Sequence, residues 1–320
     1  MRPPGFWQRP GGLAPLLLAP IGGIVASATA RRVAQPGWHA PVPVIFCGNV
    51  TVGGAGKTTL ALDLGRRLAA RGVAVHFLTR GYGGNATGVI RVDPARADAA
   101  RTGDEPLLLA QVAPCWVGAD RAAGARQAVA AGAEALVMDD GLQNPGLAKD
   151  LSLLVIDGAS GFGNGRVLPA GPLREPVRAG AARCRAAVLI GADRSGALAA
   201  LPEGLPVLRA RLVPDGAALA GCRVLAFAGI ARPEKFFASA GDAGAVLVAR
   251  KSYPDHHAFS RREIERLLAH AARLGATPLT TAKDAVRLPP DLRASVRVLE
   301  VSLAWEEPEA IEALLGEALP

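Results

Sequence analysis

Residues 44–60 read VIFCGNVTVGGAGKTTL, and this stretch decides the fold of the chain. The apolar run that begins at Val44 is typical of a buried strand, and it breaks at Gly48 into a glycine-rich loop. The next segment, LALDLGRRLAARG, carries leucines at steps of four and predicts a helix that ends at Gly72. A strand, a glycine-rich loop, a Lys-Thr pair and a helix together indicate a phosphate-binding loop.

This loop predicts how a nucleotide binds. Backbone N–H groups of residues without a Cβ can close around phosphate oxygens, and the helix N-terminus adds a partial positive charge. Lys57 is expected to reach the β- and γ-phosphates, and the Thr58 hydroxyl to bind Mg²⁺. The pattern G-x-x-x-x-G-K-[ST] has glycine where this chain has Thr51, so the following glycines would supply the permissive backbone. The predicted ATP contacts are Thr51, Val52, Gly53, Gly54, Ala55, Gly56, Lys57 and Thr58.

Composition limits the class of protein. With 320 residues, 50% of them hydrophobic, the chain is long enough for two domains with substantial cores. Its 4 cysteines form no C-x-x-C pair, which argues against a zinc site or a disulfide framework and fits a reducing compartment. The net charge is +8, but only 4% of residues are aromatic and no nucleic-acid motif occurs. An anionic membrane surface or substrate is therefore a better partner than nucleic acid.

Residues 10–30 carry no charge, and Arg9, Arg31 and Arg32 flank them. A signal peptide would send a triphosphate-binding site to a compartment without ATP, so that interpretation is rejected. A transmembrane helix would be barely long enough, and internal prolines and a Gly-Gly pair weaken it. We favour a membrane-associating segment, residues 1–32, that lies in the interface. The alternative is an apolar helix docked on the protein's own core.

Strands and helices alternate through the rest of the chain, which predicts parallel sheets covered on both faces. We assign the fold class as α/β, with a P-loop-type three-layer α/β/α domain and a second, smaller α/β domain. The predicted divisions are 33–205 for the nucleotide-binding domain, 206–221 for a linker, and 222–320 for the C-terminal domain. The linker segment mixes Gly, Pro and short strands such as residues 207–213.

Acidic pairs stand beside two elements of the first domain. Asp139 and Asp140 directly follow an apolar strand, where P-loop proteins place the carboxylate that holds Mg²⁺. A simple Asp-Gly turn is the structural alternative. Asp104 and Glu105 precede a predicted helix, and capping and first-turn roles are the commoner uses of such acids.

Two loops carry further candidates. Residues 161–176 form a long loop of the kind that is usually functional or mobile, and Arg174 within it is a candidate for contacting a transferring phosphate. His256 and His257 follow Asp255 in a second loop. Adjacent side chains diverge and do not make a helical metal site, so we expect one histidine to act as an acid–base or orienting group.

The segments GNVTVGGAGKTT, TRGYGG, TGDEP, DDGLQN, LPAGPLREP, YPDHHAF and TTAKDAVRL occur in this order, and together they resemble the tetraacyldisaccharide 4′-kinase (lipid A kinase) family. The resemblance covers nearly the whole chain. Ala55 and Thr59 stand where the family commonly has Thr and Pro, but the Lys-Thr pair is intact. The resemblance implies two α/β/α lobes with the active site between them. It implies transfer of the γ-phosphate of ATP, with Mg²⁺, to the 4′-hydroxyl of a tetraacylated glucosamine disaccharide 1-phosphate.

The resemblance also implies where the chemistry takes place. Asp104 is expected to take the hydroxyl proton, with His256 from the second lobe as its partner. Lys57 and Arg174 are the other catalytic candidates, because phosphoryl transfer depends mainly on positioning and charge stabilisation. The enzyme is expected at the cytoplasmic face of the inner membrane, as a peripheral or monotopic protein.

The metal and the acceptor have their own candidates. Asp139 would hold Mg²⁺ together with Thr58, and Glu105 would lie nearby. The remaining candidates would contact the acceptor or support these groups, and they are Asp140, Gln143, Arg80 and Asp255.

Two other classes of protein fit part of the pattern. A membrane-associated P-loop ATPase that acts as a switch for a protein partner would turn over ATP whether or not a glycolipid is present. A non-catalytic nucleotide-sensing scaffold would bind ATP and tolerate loss of Asp104.

Overall fold

The computed structural model describes residues 4–9, 11–94, 99–215 and 219–319. Parts of the predicted divisions lie outside these ranges: residues 1–3 and 10 of the apolar segment, 95–98 of the first domain, 216–218 of the linker, and 320.

Strands and helices alternate along the described chain. The strands are β1 Val44–Gly48, β2 Val75–Thr79, β3 Ile90–Arg91, β4 Cys115–Val117, β5 Ala135–Asp139, β6 Leu151–Asp157, β7 Ala186–Ile190, β8 Val207–Pro214, β9 Arg223–Ala228, β10 Val246–Ser252, β11 Thr277–Thr281, β12 Arg297–Leu299 and β13 Val301–Trp305. The helices are α1 Leu13–Val33, α2 Lys57–Ala70, α3 Ala99–Thr102, α4 Asp104–Leu109, α5 Arg121–Ala130, α6 Val177–Ala181, α7 Pro233–Asp242, α8 Arg261–Arg273, α9 Ala282–Ala285, α10 Pro290–Arg293 and α11 Pro308–Ala318.

The larger sheet has the strand order β13-β8-β7-β6-β1-β5-β2-β4-β3. It is parallel except at its two edges, where β13 and β3 run antiparallel to their neighbours. The central strand β1 lies between β5 and β6, with Cys47 in register with Asp139. The carboxyl ends of these three strands therefore meet at one edge, directly beside the glycine-rich loop.

Burial explains why these strands form. All residues of β1, β2, β5 and β6 are buried, as expected for parallel strands with helices on both faces. Helix α2 packs Leu60, Leu64 and Leu68 against one face, which matches the leucine spacing in the sequence. Phe46 and Leu136 point into a separate core on the other face. The predicted α/β class is confirmed.

The smaller sheet is entirely parallel, with the order β10-β9-β11-β12. Apolar side chains of α7, including Phe236 and Phe237, pack on one face, and α8 covers the other. Helix α8 begins with a capping box in which Ser260 and Glu263 satisfy each other's backbone N–H groups. We call the units built on the larger and smaller sheets the first and second lobes.

The predicted divisions of the chain are wrong in two places. The segment 206–221, interpreted as a linker, contains β8, which pairs with β7 in the larger sheet. The last part of the predicted domain 222–320 returns to the first lobe, because β13 pairs with β8 and α11 packs on the core beside α2. Strand β8 buries only alternate residues such as Leu208 and Ala210, a weaker signal than the fully apolar central strands.

Helix α1 runs through the uncharged N-terminal segment, and it is long and apolar enough to cross a membrane. One side packs on the first lobe: Gly22 lies so close to Val167 that an added Cβ would be 2.9 Å from its carbonyl oxygen. On the other side, Leu13, Leu17 and Ile24 are 79%, 77% and 70% exposed. The helix is thus docked on the protein and still presents an apolar stripe.

Candidate active site

The loop between β1 and α2 has a backbone suited to phosphate binding. Gly53 and Gly56 have φ angles of 111° and 90°, a region that favours glycine. A Cβ added at Gly53 or Gly54 would meet nothing within 4 Å, so this part of the loop faces open space. Thr51 forms an antiparallel bridge with Leu173, and its hydroxyl accepts a hydrogen bond from Asn49. The glycine of the standard pattern is not needed at this paired position.

Lys57 lies over this loop. Its Nζ donates to Asn49 Oδ1 at 3.1 Å and to the Gly53 carbonyl at 3.4 Å, and it is 3.6 Å from Asp140 Oδ2. Arg174 forms a two-bond pair with the same carboxylate, at 2.9 and 3.2 Å. Burial acts to raise the pKa of Asp140, but Lys57 and Arg174 outweigh it and lower the pKa. Asp140 therefore holds the two predicted catalytic cations next to the loop.

Backbone geometry at Asp140 is unusual. Its φ is 62°, a left-handed conformation that is uncommon outside glycine and is enriched at functional sites. His256, with φ of 57°, is the other such non-glycine residue in the described part of the chain. Both unusual conformations thus belong to predicted site residues.

Asp139, at the end of β5, accepts a 2.8 Å hydrogen bond from the Thr58 hydroxyl through Oδ2. Its Oδ1 is buried without a hydrogen-bond partner among the described residues. Burial is the main cause that raises the pKa of this carboxyl to about 7, and Asp140 and Glu105 add to the effect, against the opposing influence of Lys57 and Thr58. A buried carboxylate oxygen without a donor is a site where a cation would be stabilising.

These residues fit Mg²⁺. No group of three or more His, Cys, Asp or Glu side chains with the geometry of a metal site occurs in the ranges that the structure describes. Mg²⁺ in nucleotide-dependent enzymes does not require one, since it binds through one or two protein oxygens plus water and phosphate. The hydroxyl of Thr58 and the free oxygen of Asp139 supply that donor set.

Asp104 and His256 meet between the lobes. Asp104, the first residue of α4, is 4% exposed, and its Oδ2 lies 2.8 Å from His256 Nδ1. His257 points elsewhere: its Nε2 is 3.1 Å from Glu263 Oε1, and its ring stacks on Tyr253 with centroids 4.6 Å apart. The geometry therefore separates the two histidines, and His256 contacts Asp104 as the family resemblance implied.

Glu105 has a partner that the sequence did not indicate. Its Oε1 lies 2.6 Å from Lys283 Nζ of the second lobe, and its Oε2 is buried without a hydrogen bond in the described structure. It remains close enough to Asp139 to raise the pKa of that carboxyl. Glu105 was expected near the Mg²⁺ ligands, and it lies there, but its Oε1 is already paired with Lys283.

The other predicted residues lie around this centre at different distances. Gln143 donates to Glu175 at 2.7 Å, and Glu175 is also bound by Arg183. Asp255 Oδ2 is 3.9 Å from His256 Nε2, at the outer side of the histidine. Arg80 is exposed at the end of β2.

Sequence reasoning missed several charged residues of the site. Arg287 lies against Asp104, with Nε 3.1 Å from Oδ2. Arg232 donates to the Gly54 carbonyl at 3.2 Å and pairs with Asp157 at the end of β6. Lys283 and Arg287 both lie in the segment TTAKDAVRL, so the motif that would have identified them was present in the sequence.

Arg121 is a further buried cation near Asp140. It opens α5, donates to the Gly118 carbonyl, and leaves Nε without a hydrogen bond to any described residue. Burial lowers its pKa to about 10, although Asp140 counteracts the shift. No pattern in the sequence distinguishes it from the many other arginines.

Comparison with known proteins identifies the family. Residues 14–319 match the family model described as tetraacyldisaccharide-1-P 4′-kinase, LpxK. The chain is 63% identical over 318 residues to the tetraacyldisaccharide 4′-kinase of Gluconacetobacter diazotrophicus, covering 98% of this chain and 97% of that protein. It is 57% identical over 328 residues to that of Rhodospirillum centenum, covering 100% and 97%.

A solved structure extends the comparison to the fold. The structure of LpxK from Aquifex aeolicus in complex with ATP superposes with a TM-score of 0.78 at 25% identity, covering 96% of this chain and 100% of the other. The family match spans both lobes and all the segments that build the site. The chain belongs to the tetraacyldisaccharide-1-phosphate 4′-kinase family.

Proposed function

We propose that this chain transfers the γ-phosphate of ATP to the 4′-hydroxyl of a tetraacylated glucosamine disaccharide 1-phosphate, a precursor of lipid A. The observation that supports this most directly is the contact of the buried Asp104 with His256, close to a phosphate-binding loop. Glu105 connects the Asp104–His256 pair with the predicted metal ligands of the phosphate site, because it follows Asp104 in the chain and influences the pKa of Asp139.

The P-loop and its neighbours would hold the triphosphate. Gly53 and Gly54 leave room for phosphate oxygens. Lys57 Nζ would leave the Gly53 carbonyl and the Asn49 side-chain oxygen and bind the β- and γ-phosphates instead. Thr58 and Asp139 would hold Mg²⁺, which neutralises charge on the phosphates when it is bound.

Asp104 would act as the general base. It takes the proton of the acceptor hydroxyl as that oxygen forms its bond to the γ-phosphorus; the bond from the γ-phosphorus to the bridging oxygen breaks, and ADP leaves with the electron pair. His256 fixes the carboxylate through Nδ1. Arg174 would release part of its pairing with Asp140 to stabilise negative charge on the transferring group.

Helix α1 would bring this site to the membrane. Its exposed leucine and isoleucine side chains suit the acyl boundary of a bilayer, and Arg31 and Arg32 in its last turn suit anionic headgroups. Its other side packs on the loop that carries Arg174, and the Thr29 hydroxyl is 3.5 Å from the Arg174 carbonyl. We place the enzyme at the cytoplasmic face of the inner membrane, where the acyl chains of the acceptor can stay in lipid.

Release of ADP tests the proposal against a protein-switch ATPase. The full chain in mixed micelles, with Mg²⁺ and ATP, is titrated with the disaccharide 1-phosphate acceptor. A kinase releases ADP in proportion to acceptor consumed, and an acceptor blocked at the 4′-hydroxyl gives no stimulation. ADP release that is indifferent to both glycolipids would overturn the proposal.

A further inference from the structure

Arg287 joins the two lobes at the proposed base. It lies directly after α9, its side chain is 5% exposed, and its Nε is 3.1 Å from Asp104 Oδ2. The same carboxylate oxygen is 2.8 Å from His256 Nδ1. Two groups from the second lobe therefore converge on one oxygen of a residue in the first.

The guanidinium is fixed by contacts other than Asp104. Its Nη1 donates to the carbonyls of Gly229 at 3.1 Å and His257 at 3.2 Å, and lies 3.3 Å from Asp284 Oδ1. Asp284 is fully buried and accepts from the Gly229 N–H at 3.0 Å and from the Thr281 hydroxyl at 2.7 Å. Arg287 thus bonds the backbone next to His256 and cannot turn away without breaking this network.

Part of the Arg287 guanidinium has no hydrogen-bond partner among the described residues. Nε and Nη2 are buried and form no hydrogen bond with any residue that the structure describes. Leaving buried N–H groups unpaired is unfavourable, and an arginine retained for structure alone would be expected to satisfy them. What these atoms do provide is positive charge beside the Asp104 carboxylate.

A second pair repeats this arrangement. Lys283 lies four residues before Arg287 and contacts Glu105, the neighbour of Asp104, at 2.6 Å. Helix α9 and the turn after it therefore present two cations to the two consecutive acids at the start of α4. These two pairs of opposite charges set the position of α4 relative to the loop that carries His256.

We propose that Arg287 is a positioning residue for the phosphoryl transfer assigned above, and this inference rests on that proposed function. Arg287 and His256 both contact Oδ2 of Asp104. In this proposal the other carboxylate oxygen, Oδ1, takes the acceptor proton. The rigid guanidinium of Arg287 sets the rotation of this carboxylate.

Two substitutions at Arg287 separate charge from structure. Arg287→Gln should lower kcat about 10²-fold, a typical cost of a misplaced catalytic group, with little change in the KM for acceptor or the Kd for ATP. Arg287→Lys keeps the charge and should recover kcat at least about tenfold over the Gln variant. Arg293→Gln is the matched control, because Arg293 donates to the Val286 and Leu288 carbonyls and forms no ion pair with an acid among the described residues. Its kcat should stay close to the wild-type value.

The split between kcat and KM supplies a readout that a structural role would not produce. A substitution that only loosened the junction between the lobes would raise the KM for acceptor and the Kd for ATP together with the loss of kcat.

Equal kcat losses in the Gln and Lys variants, a rise in the acceptor KM that matches the loss of kcat, or a Gln variant within twofold of wild type would overturn the positioning role. These outcomes bear on Arg287 only if the wild-type enzyme transfers phosphate to the acceptor. A wild-type enzyme that binds ATP without acceptor-dependent transfer would instead refute the proposed function. Should the Gln variant fail to fold, the kcat and KM of the Lys variant carry the test.

Discussion

His256 Nδ1 lies 2.8 Å from Asp104 Oδ2, although 152 positions of sequence separate the two residues. Asp104 opens a helix of the first lobe, and His256 lies in a loop of the second. The pair therefore depends on how the lobes dock, and the contacts of Lys283 with Glu105 and of Arg232 with Gly54 hold the same junction. Under the proposed mechanism, lobe docking and catalysis are linked at this contact.

Asp104→Ala and His256→Ala should each lower mainly kcat, because neither side chain is placed to grip the nucleotide. A general base contributes about 10²–10⁴-fold, so losses in that range are expected. Residues that act as one unit are not additive, and the double variant should be little worse than the poorer single variant. Steady-state kcat and the Kd for ATP, measured for all three, check this prediction. Fully multiplicative losses would show that the residues act independently.

Lys57→Ala should abolish transfer and weaken ATP binding, because it removes the positive charge that the loop aims at the β- and γ-phosphates. Arg185→Ala is a suitable control, since Arg185 is an exposed cation that pairs with the exposed Glu317. Calorimetric titration with ATP and the transfer assay provide the two readouts. Near-normal turnover in the Lys57 variant would contradict the assignment of the P-loop.

Asp139→Asn should change how stability depends on pH and Mg²⁺. Burial raises the pKa of Asp139 from 3.8 to about 7, so the folded protein holds a proton that the unfolded chain loses between these values. Asp139 therefore lowers the free energy of unfolding as the pH rises between these two pKa values. Above it, without Mg²⁺, the Asn variant should melt at a higher temperature than wild type, and the difference should shrink at lower pH.

Adding Mg²⁺ with ADP reverses that comparison. Wild type should gain melting temperature, because the cation binds the ionised Asp139, and the Asn variant should gain much less. Thermal scans across pH, with and without Mg²⁺, give both results. An Asn variant that is less stable than wild type at every pH without Mg²⁺ would show that burying the ionised Asp139 carboxylate does not destabilise the folded protein.

Polar substitution of the α1 stripe should release the protein from membranes. Replacing Leu13, Leu17 and Ile24 by Ser removes the exposed apolar side chains and leaves the side packed on the first lobe intact. Leu212→Ser combined with Val246→Ser provides a control, because these residues are exposed elsewhere. Flotation with anionic vesicles measures the partition, and deleting residues up to 30 should have the same effect. A triple variant that still floats fully would place the anchor in another segment.

Much of the fold was predictable because its signals are local. The apolar strand before the glycine-rich loop and the leucine spacing of α2 each report burial within a few residues. The return of β13 and α11 to the first lobe was not predictable, because no local pattern states which sheet a strand joins. The strand expected at residues 207–213 is confirmed as β8, but no local pattern showed that it joins the larger sheet and is not part of a linker.

The site shows the same division between local and long-range information. Lys57, Thr58 and Asp139 follow from motif and strand end, and the structure brings them together. The family resemblance pointed to His256, whereas the residue pattern alone did not distinguish it from His257; in the structure His256 contacts Asp104 and His257 contacts Glu263. The role of Arg287 also depends on lobe docking, although its motif could be recognised.

Identification of the product tests the central claim most directly. The full-length enzyme in mixed micelles is incubated with γ-labelled ATP and the tetraacylated disaccharide 1-phosphate, and the glycolipid product is fragmented by mass spectrometry. The account predicts that the label lies on the 4′-oxygen of the distal glucosamine, and that Asp104→Ala yields almost none of this product. Label on another position, or only inorganic phosphate and unmodified acceptor, would contradict it.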